Sequence, residues 1–128
     1  VCRERGIEGN VLLSDRLSYG FMHYESYIEK GLLEHPETDG IFASSDLIAA
    51  QVLQRLYAMG KRVPEEIKVV GFDDTVIAGI TTPAITTIHQ PVEEMSELSM
   101  EYIDRRRKGE LVPNVTTMPV RLVVRDSA

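Results

Sequence analysis

Asp73 and Asp74 close the run Ile67-Lys68-Val69-Val70-Gly71-Phe72, so two adjacent carboxylates follow an apolar, β-branched stretch. An ionised carboxylate can accept hydrogen bonds from two vicinal hydroxyls, and such charge-assisted bonds are stronger than neutral ones. Two other clusters share this layout: Ser14-Asp15-Arg16 after Val11-Leu12-Leu13, and Ser44-Ser45-Asp46 after Gly40-Ile41-Phe42-Ala43. A row of hydroxyls and carboxylates suits a neutral polyhydroxylated ligand. Tyr19, just past the first cluster, has a ring that could lie against the apolar face of a sugar or base. Each group also has a structural role open to it. Ser45 is a fair helix N-cap and Asp46 complements the helix dipole. Asp73 and Asp74 suit a turn, and Tyr19 suits packing at a rim.

Carboxylates in such places also hold magnesium in phosphotransfer sites. No lysine closely follows any of the three stretches, however, and there is neither a glycine-rich phosphate loop nor a Gly-x-Ser-x-Gly elbow. An enzyme with a carboxylate site is therefore the minor alternative. His23, His35 and His89 have no metal-ligand spacing with one another or with Cys2, so no metal and no cofactor are expected.

The elements that position these groups can be read from periodicity and punctuation. The stretch from Ile67 to Phe72 reads as a strand buried on both faces. Short strands are expected over 10–14, 40–43 and 85–90, with a last extended piece from Val115 to Arg125 in which Val120, Leu122 and Val124 alternate with Arg121 and Arg125. Phe21, Tyr24, Ile28 and Leu32 predict a helix from Tyr19 to about His35, which Pro36 ends. A second helix runs from its Ser45 cap to Met59 and stops at Gly60. A third starts with Pro91 at its first position, carries Val92, Met95, Leu98, Ser99, Tyr102 and Ile103 on its inner face, and ends at Gly109. The segment from Asp73 to Pro83 is expected to be irregular. The order β-α-β-α-β-β-α-β predicts an α/β fold with a parallel doubly wound sheet. In that arrangement the polar clusters share the carboxyl edge, where open sheets of this kind bind ligands.

Apolar residues of the second helix, from Leu47 to Met59, span roughly 200° at helical spacing, about twice the stripe needed to pack on one sheet. Either this helix is sandwiched within its own domain, or one flank meets a partner subunit in a homodimer. The 128 residues suffice for one domain. Fourteen Lys and Arg stand against twenty Asp and Glu, a net charge of −6, which argues against this segment gripping a nucleic-acid backbone. The basic run Arg105-Arg106-Arg107-Lys108 precedes Gly109, where cations complement the carbonyl end of a helix. A single cysteine allows no internal disulfide and fits a reducing, cytoplasmic compartment. No stretch reads as a membrane span or a signal peptide, so no membrane partner is expected. Without an initiator Met, the chain is expected to begin inside a larger protein.

Several motifs in series carry a resemblance: Gly40-Ile41-Phe42-Ala43-Ser44-Ser45-Asp46, Val63-Pro64-Glu65, Val69-Val70-Gly71-Phe72-Asp73-Asp74, Thr82-Pro83-Ala84-Ile85-Thr86-Thr87-Ile88-His89-Gln90-Pro91, and Leu122-Val123-Val124-Arg125-Asp126-Ser127. Together they resemble the effector-binding domain of the lactose-repressor/galactose-repressor family of bacterial transcription regulators, over nearly the whole chain. The resemblance implies a type I periplasmic-binding-protein-like fold, in which two α/β subdomains close on a sugar, a sugar phosphate or a nucleoside-like effector. It places residues 1–90 and 113–128 in the C-terminal subdomain and residues 91–112 in a crossover helix belonging to the N-terminal one. It also implies that operator DNA is bound through a domain absent from this chain. By motif position it assigns ligand binding to Asp73, Ser45, Asp46, Tyr19 and Gln90. Ser45 stands where many members carry an amide, which leaves the sugar's identity open. An exported sugar-binding receptor of the same fold is the alternative.

Overall fold

The computed structural model describes Glu4, Gly6 and residues 25–128. Tyr19, the cluster at Ser14-Asp15-Arg16, the strand expected over 10–14 and the start of the helix expected over 19–35 lie outside the described residues. The element order is α1 (Glu25–Glu34), β1 (Gly40–Phe42), α2 (Asp46–Ala58), β2 (Lys68–Asp73), α3 (Val76–Ile80), β3 (Thr86–His89), α4 (Val92–Arg107) and β4 (Arg121–Val123).

The boundaries of α2 follow from side-chain and backbone chemistry. Ser45 Oγ accepts the Ile48 N–H at 3.3 Å, satisfying one of the free donors of the first turn. At the other end Gly60 adopts φ +72°, the Gly60 N–H donates to the Tyr57 carbonyl, and the Lys61 N–H donates to the Leu56 carbonyl. This pair of bonds is the Schellman stop, which needs a left-handed residue. Gly109 ends α4 in the same way at φ +81°, with its N–H on the Arg106 carbonyl and the Glu110 N–H on the Arg105 carbonyl. The basic run lies in that last turn, where Arg105 pairs with Glu101 and Glu110 and Lys108 pairs with Asp104.

The sheet order is β1-β2-β3-β4, with β1, β2 and β3 mutually parallel. The last strand differs from the expected parallel arrangement: β4 runs antiparallel to β3, pairing Thr87 with Val123 and His89 with Arg121. The segment expected to be irregular contains the five-residue α3, and Pro91 sits at the N-cap of α4, one position before the first turn.

One face of the sheet is closed by α2. Ala49, Val52, Leu53 and Leu56 pack with Ala43, Ile67, Val69, Ala78 and Ile85, and Ile28 joins from α1. An ion pair between Arg55 and Glu29 ties α2 to α1. On the opposite face the Phe42 and Phe72 rings meet edge-to-face at 6.4 Å. That face stays open among the described residues: Phe42 is 64% exposed and Leu122 56%. The apolar alternation of Val120, Leu122 and Val124 therefore faces away from α2, and all three are exposed. The expected inner face of α4 is likewise unfilled, because no residue of that helix is buried.

Candidate functional site

Because β1, β2 and β3 are parallel, the residues that follow them gather at one edge. Asp73 ends β2 opposite His89, and Gln90 is the next residue along. Gln90 Nε2 donates to Asp73 Oδ1 at 2.7 Å. Both acids have left-handed backbones, Asp73 at φ 107° and Asp74 at φ 58°. Such conformations cost on the order of 1–3 kcal/mol each for residues other than glycine, though Asp tolerates them better than most. They concentrate at functional sites where the surroundings hold them in place.

Adjacent in sequence, the two acids have separate partners. Asp74 Oδ1 accepts from Arg125 Nη2 at 2.6 Å, and Asp74 Oδ2 lies 2.9 Å from His89 Nδ1. Arg125 also donates from Nη1 to the Ile85 carbonyl at 2.9 Å. The Arg125 hydrogen bond holds the Asp74 carboxyl below its ordinary range, with the His89 bond adding to it against partial desolvation. An ionised carboxylate only accepts, so His89 Nδ1 carries the hydrogen in this pair.

Asp46 lies below the surface of this edge. Its side chain is 0% exposed and both oxygens are engaged: Oδ2 accepts the Thr75 N–H at 2.6 Å and the Thr75 hydroxyl at 3.0 Å, while Oδ1 accepts the Thr87 hydroxyl at 2.5 Å. A fully buried carboxylate with both oxygens bonded braces the edge. Gly71 makes the brace possible, since a Cβ there would lie 2.5 Å from Asp46 Oδ1 and 3.1 Å from Ile85 Cγ2. Ser45 remains partly exposed, with its hydroxyl accepting the cap bond. Tyr19 lies outside the described residues.

The structure thus joins Asp73 to Gln90 and sets Asp46 beneath them. It adds Thr75, Thr87, His89 and Arg125, which sequence reasoning left out. Two threonines within a buried strand were a signal for Thr87, since a buried hydroxyl needs a partner. Past Gln90, a groove of about 350 Å³ opens along α4, lined by Met95, Leu98, Tyr102, Met118 and Val120 among others. Tyr102 and Thr116 share a hydroxyl–hydroxyl bond of 3.0 Å across this region. Among the described residues no group of three or more His, Cys, Asp or Glu could hold a metal ion, and no helix is long and apolar enough to cross a membrane.

The chain has known relatives of the same fold. Residues 2–128 match the periplasmic binding protein-like domain family. The ribose operon repressor of Halalkalibacterium halodurans is 36% identical over 102 residues, 78% of this chain and 31% of that protein. The HTH-type transcriptional regulator CelR of Thermobifida fusca is 39% identical over 112 residues, 84% of this chain and 31% of that protein. A solved complex of the transcriptional regulator CelR with cellobiose superposes with a TM-score of 0.83 at 30% identity, over 99% of this chain and 39% of that one. The chain therefore spans about a third of the length of these relatives. With its parallel strands, its polar carboxyl edge and these relatives, the chain belongs to the periplasmic binding protein-like family, as part of an effector domain of the lactose-repressor/galactose-repressor type.

Proposed function

We propose that this chain is the effector-sensing part of a transcriptional repressor of carbohydrate-use genes, with Asp73 as its principal ligand contact. The observation that carries the reading is the Asp73–Gln90 bond of 2.7 Å at the carboxyl edge of the sheet. Asp73 keeps acceptor positions beyond the one Gln90 uses, enough for the hydroxyls of a sugar or sugar phosphate. Gln90 shares the ligand, Ser45 lines the rim, and Tyr19 supplies the stacking wall. Asp46 positions this edge from beneath.

Gln90 is the last residue before Pro91 and α4, so an effector that draws the Asp73 carboxylate acts directly on the crossover. Residues 1–90 and 113–128 form one subdomain, and 91–112 cross to the other. The absence of buried residues in α4, with Val92, Met95, Met100 and Ile103 exposed, supports that division. Effector binding then favours one arrangement of the subdomains, and DNA-binding heads beyond this chain fit the operator in only one of them. The regulator works in the cytoplasm as a homodimer. Exposed Leu47 and Tyr57 on α2, and Val76 and Ile80 on α3, support a subunit contact along these neighbouring helices. The relatives are regulators by name, which favours a repressor over an exported receptor or an enzyme.

The test is Asp73→Ala in the full-length protein, read by operator binding with and without a sugar panel that includes cellobiose and ribose. Operator binding should survive and the effector response should vanish. A normal response in that variant would overturn the assignment.

A further inference from the structure

We infer that Arg125 positions Asp73: the closing segment of the chain acts as a clasp on the turn between β2 and α3, gripping it through Asp74. The inference rests on the proposed role of Asp73 and adds the residue that holds it in place.

The turn consists of two consecutive left-handed aspartates, a conformation that does not persist without outside support. On its far side Thr75 is tied to Asp46 by two bonds. On its near side Asp73 is in the β2–β3 ladder. Between these anchors, among the described residues, the side chain of Asp73 holds Gln90 and that of Asp74 reaches the closing segment, its two oxygens going to Arg125 and His89. Arg125 is itself rigidly mounted. Its backbone N–H donates to Thr86 Oγ1 at 2.9 Å, and its second guanidinium nitrogen is on the Ile85 carbonyl. Two residues later the fully buried Ser127 stitches the strands together, donating from Oγ to the Val69 carbonyl at 2.6 Å and accepting the Thr86 N–H at 2.9 Å. The terminal segment is thus bound to both strands that lead to the site, and its arginine reaches the turn.

The two acids also grip successive residues of the crossover, Asp73 holding Gln90 and Asp74 holding His89. Without Arg125, the Asp74 carboxylate, 13% exposed, loses its stronger partner and turns toward water. The peptide unit it shares with Asp73 turns with it, and the Asp73 carboxylate leaves Gln90. A lysine at this position can keep the charge but cannot bond Asp74 and the Ile85 carbonyl together in the manner of a planar fork.

The complete regulator, labelled with ¹⁵N-glutamine, provides the test. The Gln90 side-chain signal, assigned by its loss in Gln90→Ala, should lie away from the solvent-exposed glutamine positions in the unaltered protein. In Arg125→Met it should move into them, while the Gln51 and Gln54 signals on α2 stay in place. Arg125→Lys should give an intermediate shift, and Arg121→Met, a change of an exposed arginine in β4, should give none. If Arg125→Met does not fold, Asp74→Asn gives the same reading. An unmoved Gln90 signal in whichever of these variants folds overturns the inference, as does a shift of all three glutamines together. No effector is added, so this outcome is separate from that of Asp73→Ala.

Discussion

The helices α2 and α4 are built from similar materials and reach opposite ends. Of the thirteen residues of α2, five are buried; of the sixteen of α4, none is. Both have apolar residues at helical spacing, correct stops and complementary end charges. The difference is in what lies opposite. α2 meets Val69, Ile85 and Ala78 within its own chain, whereas Val92, Met95 and Ile103 of α4 face outward. The sheet repeats the contrast, with one face closed by α2 and the other showing Phe42 and Leu122. Hydrophobic period establishes that a helix has a face to bury; it does not say that the partner lies in the same stretch of chain.

The largest expected effect tests that contrast directly. Leu56 is fully buried, so Leu56→Ala should cost about 2–5 kcal/mol in urea unfolding. Ile103→Ala in the same 128-residue chain should stay within about 0.5 kcal/mol, as an exposed substitution does. In the complete regulator the second cost should rise to about 2 kcal/mol or more, as for a core residue. Equal costs in the short chain would abolish the comparison. A small cost in both settings would mean that α4 has no partner for its apolar face.

Next in size is Gly71→Ala, on the closed side. Its new methyl would meet the Asp46 carboxylate and Ile85 within a packed layer, with an overpacking cost of about 1–3 kcal/mol. Because Asp46 also holds Thr75 and Thr87, the loss should appear with a weakened effector response even though Gly71 touches no ligand. Stability and response both unchanged would show that the brace has slack.

Gly71 also shows where sequence reasoning stopped. Local signals were readable: Ser45 as a cap, Gly60 and Gly109 as stops, and a strand leading to Asp73 are all present, although that strand is buried on the α2 face and not on both, with Val70 and Phe72 half-buried. Asp46 was not, because its burial depends on an absent Cβ on a neighbouring strand and on threonines 29 and 41 residues away. Arg125 reaches Asp74 across 51 residues, and no local pattern encodes that pairing. The short α3 has too few residues for a helical period to register, and the alternation in the last strand is the same whether it runs parallel or antiparallel. What sequence reads well is local geometry; what it misses is the partner at long range.

Acid provides a smaller effect that separates the clasp from the rest of the sheet edge. Arg125, and then His89, lower the folded-state pKa of Asp74 below its ordinary value. The clasp's contribution to stability is therefore complete above the unfolded-state value of about 4 and is lost as pH falls through the lower folded-state one. Asp74→Asn should be less stable than the unaltered chain at about pH 5, with the gap narrowing as pH falls below about 4 and the Asp74 carboxyl takes up its proton. Urea midpoints across that range give the measurement, and a gap that stays constant would mean that the pair contributes nothing to the folded state.

The smallest effect belongs to the outer side of α4. Lys108 pairs with Asp104 at 2.6 Å, yet both side chains are more than half exposed. Water and salt screen such a pair, and holding two long side chains in one geometry offsets much of its attraction. Lys108→Ala should thus shift the urea midpoint by no more than about 0.5 kcal/mol in the short chain, and by the same amount in the complete regulator. The second comparison is the informative one. Ile103→Ala is expected to change its cost between the two settings if the proposed crossover covers its face in the larger protein. Lys108→Ala is expected not to, because its pair stays in water. A rise for Lys108 as well would extend the covered surface around the end of α4 and move the boundary of the crossover contact to that last turn.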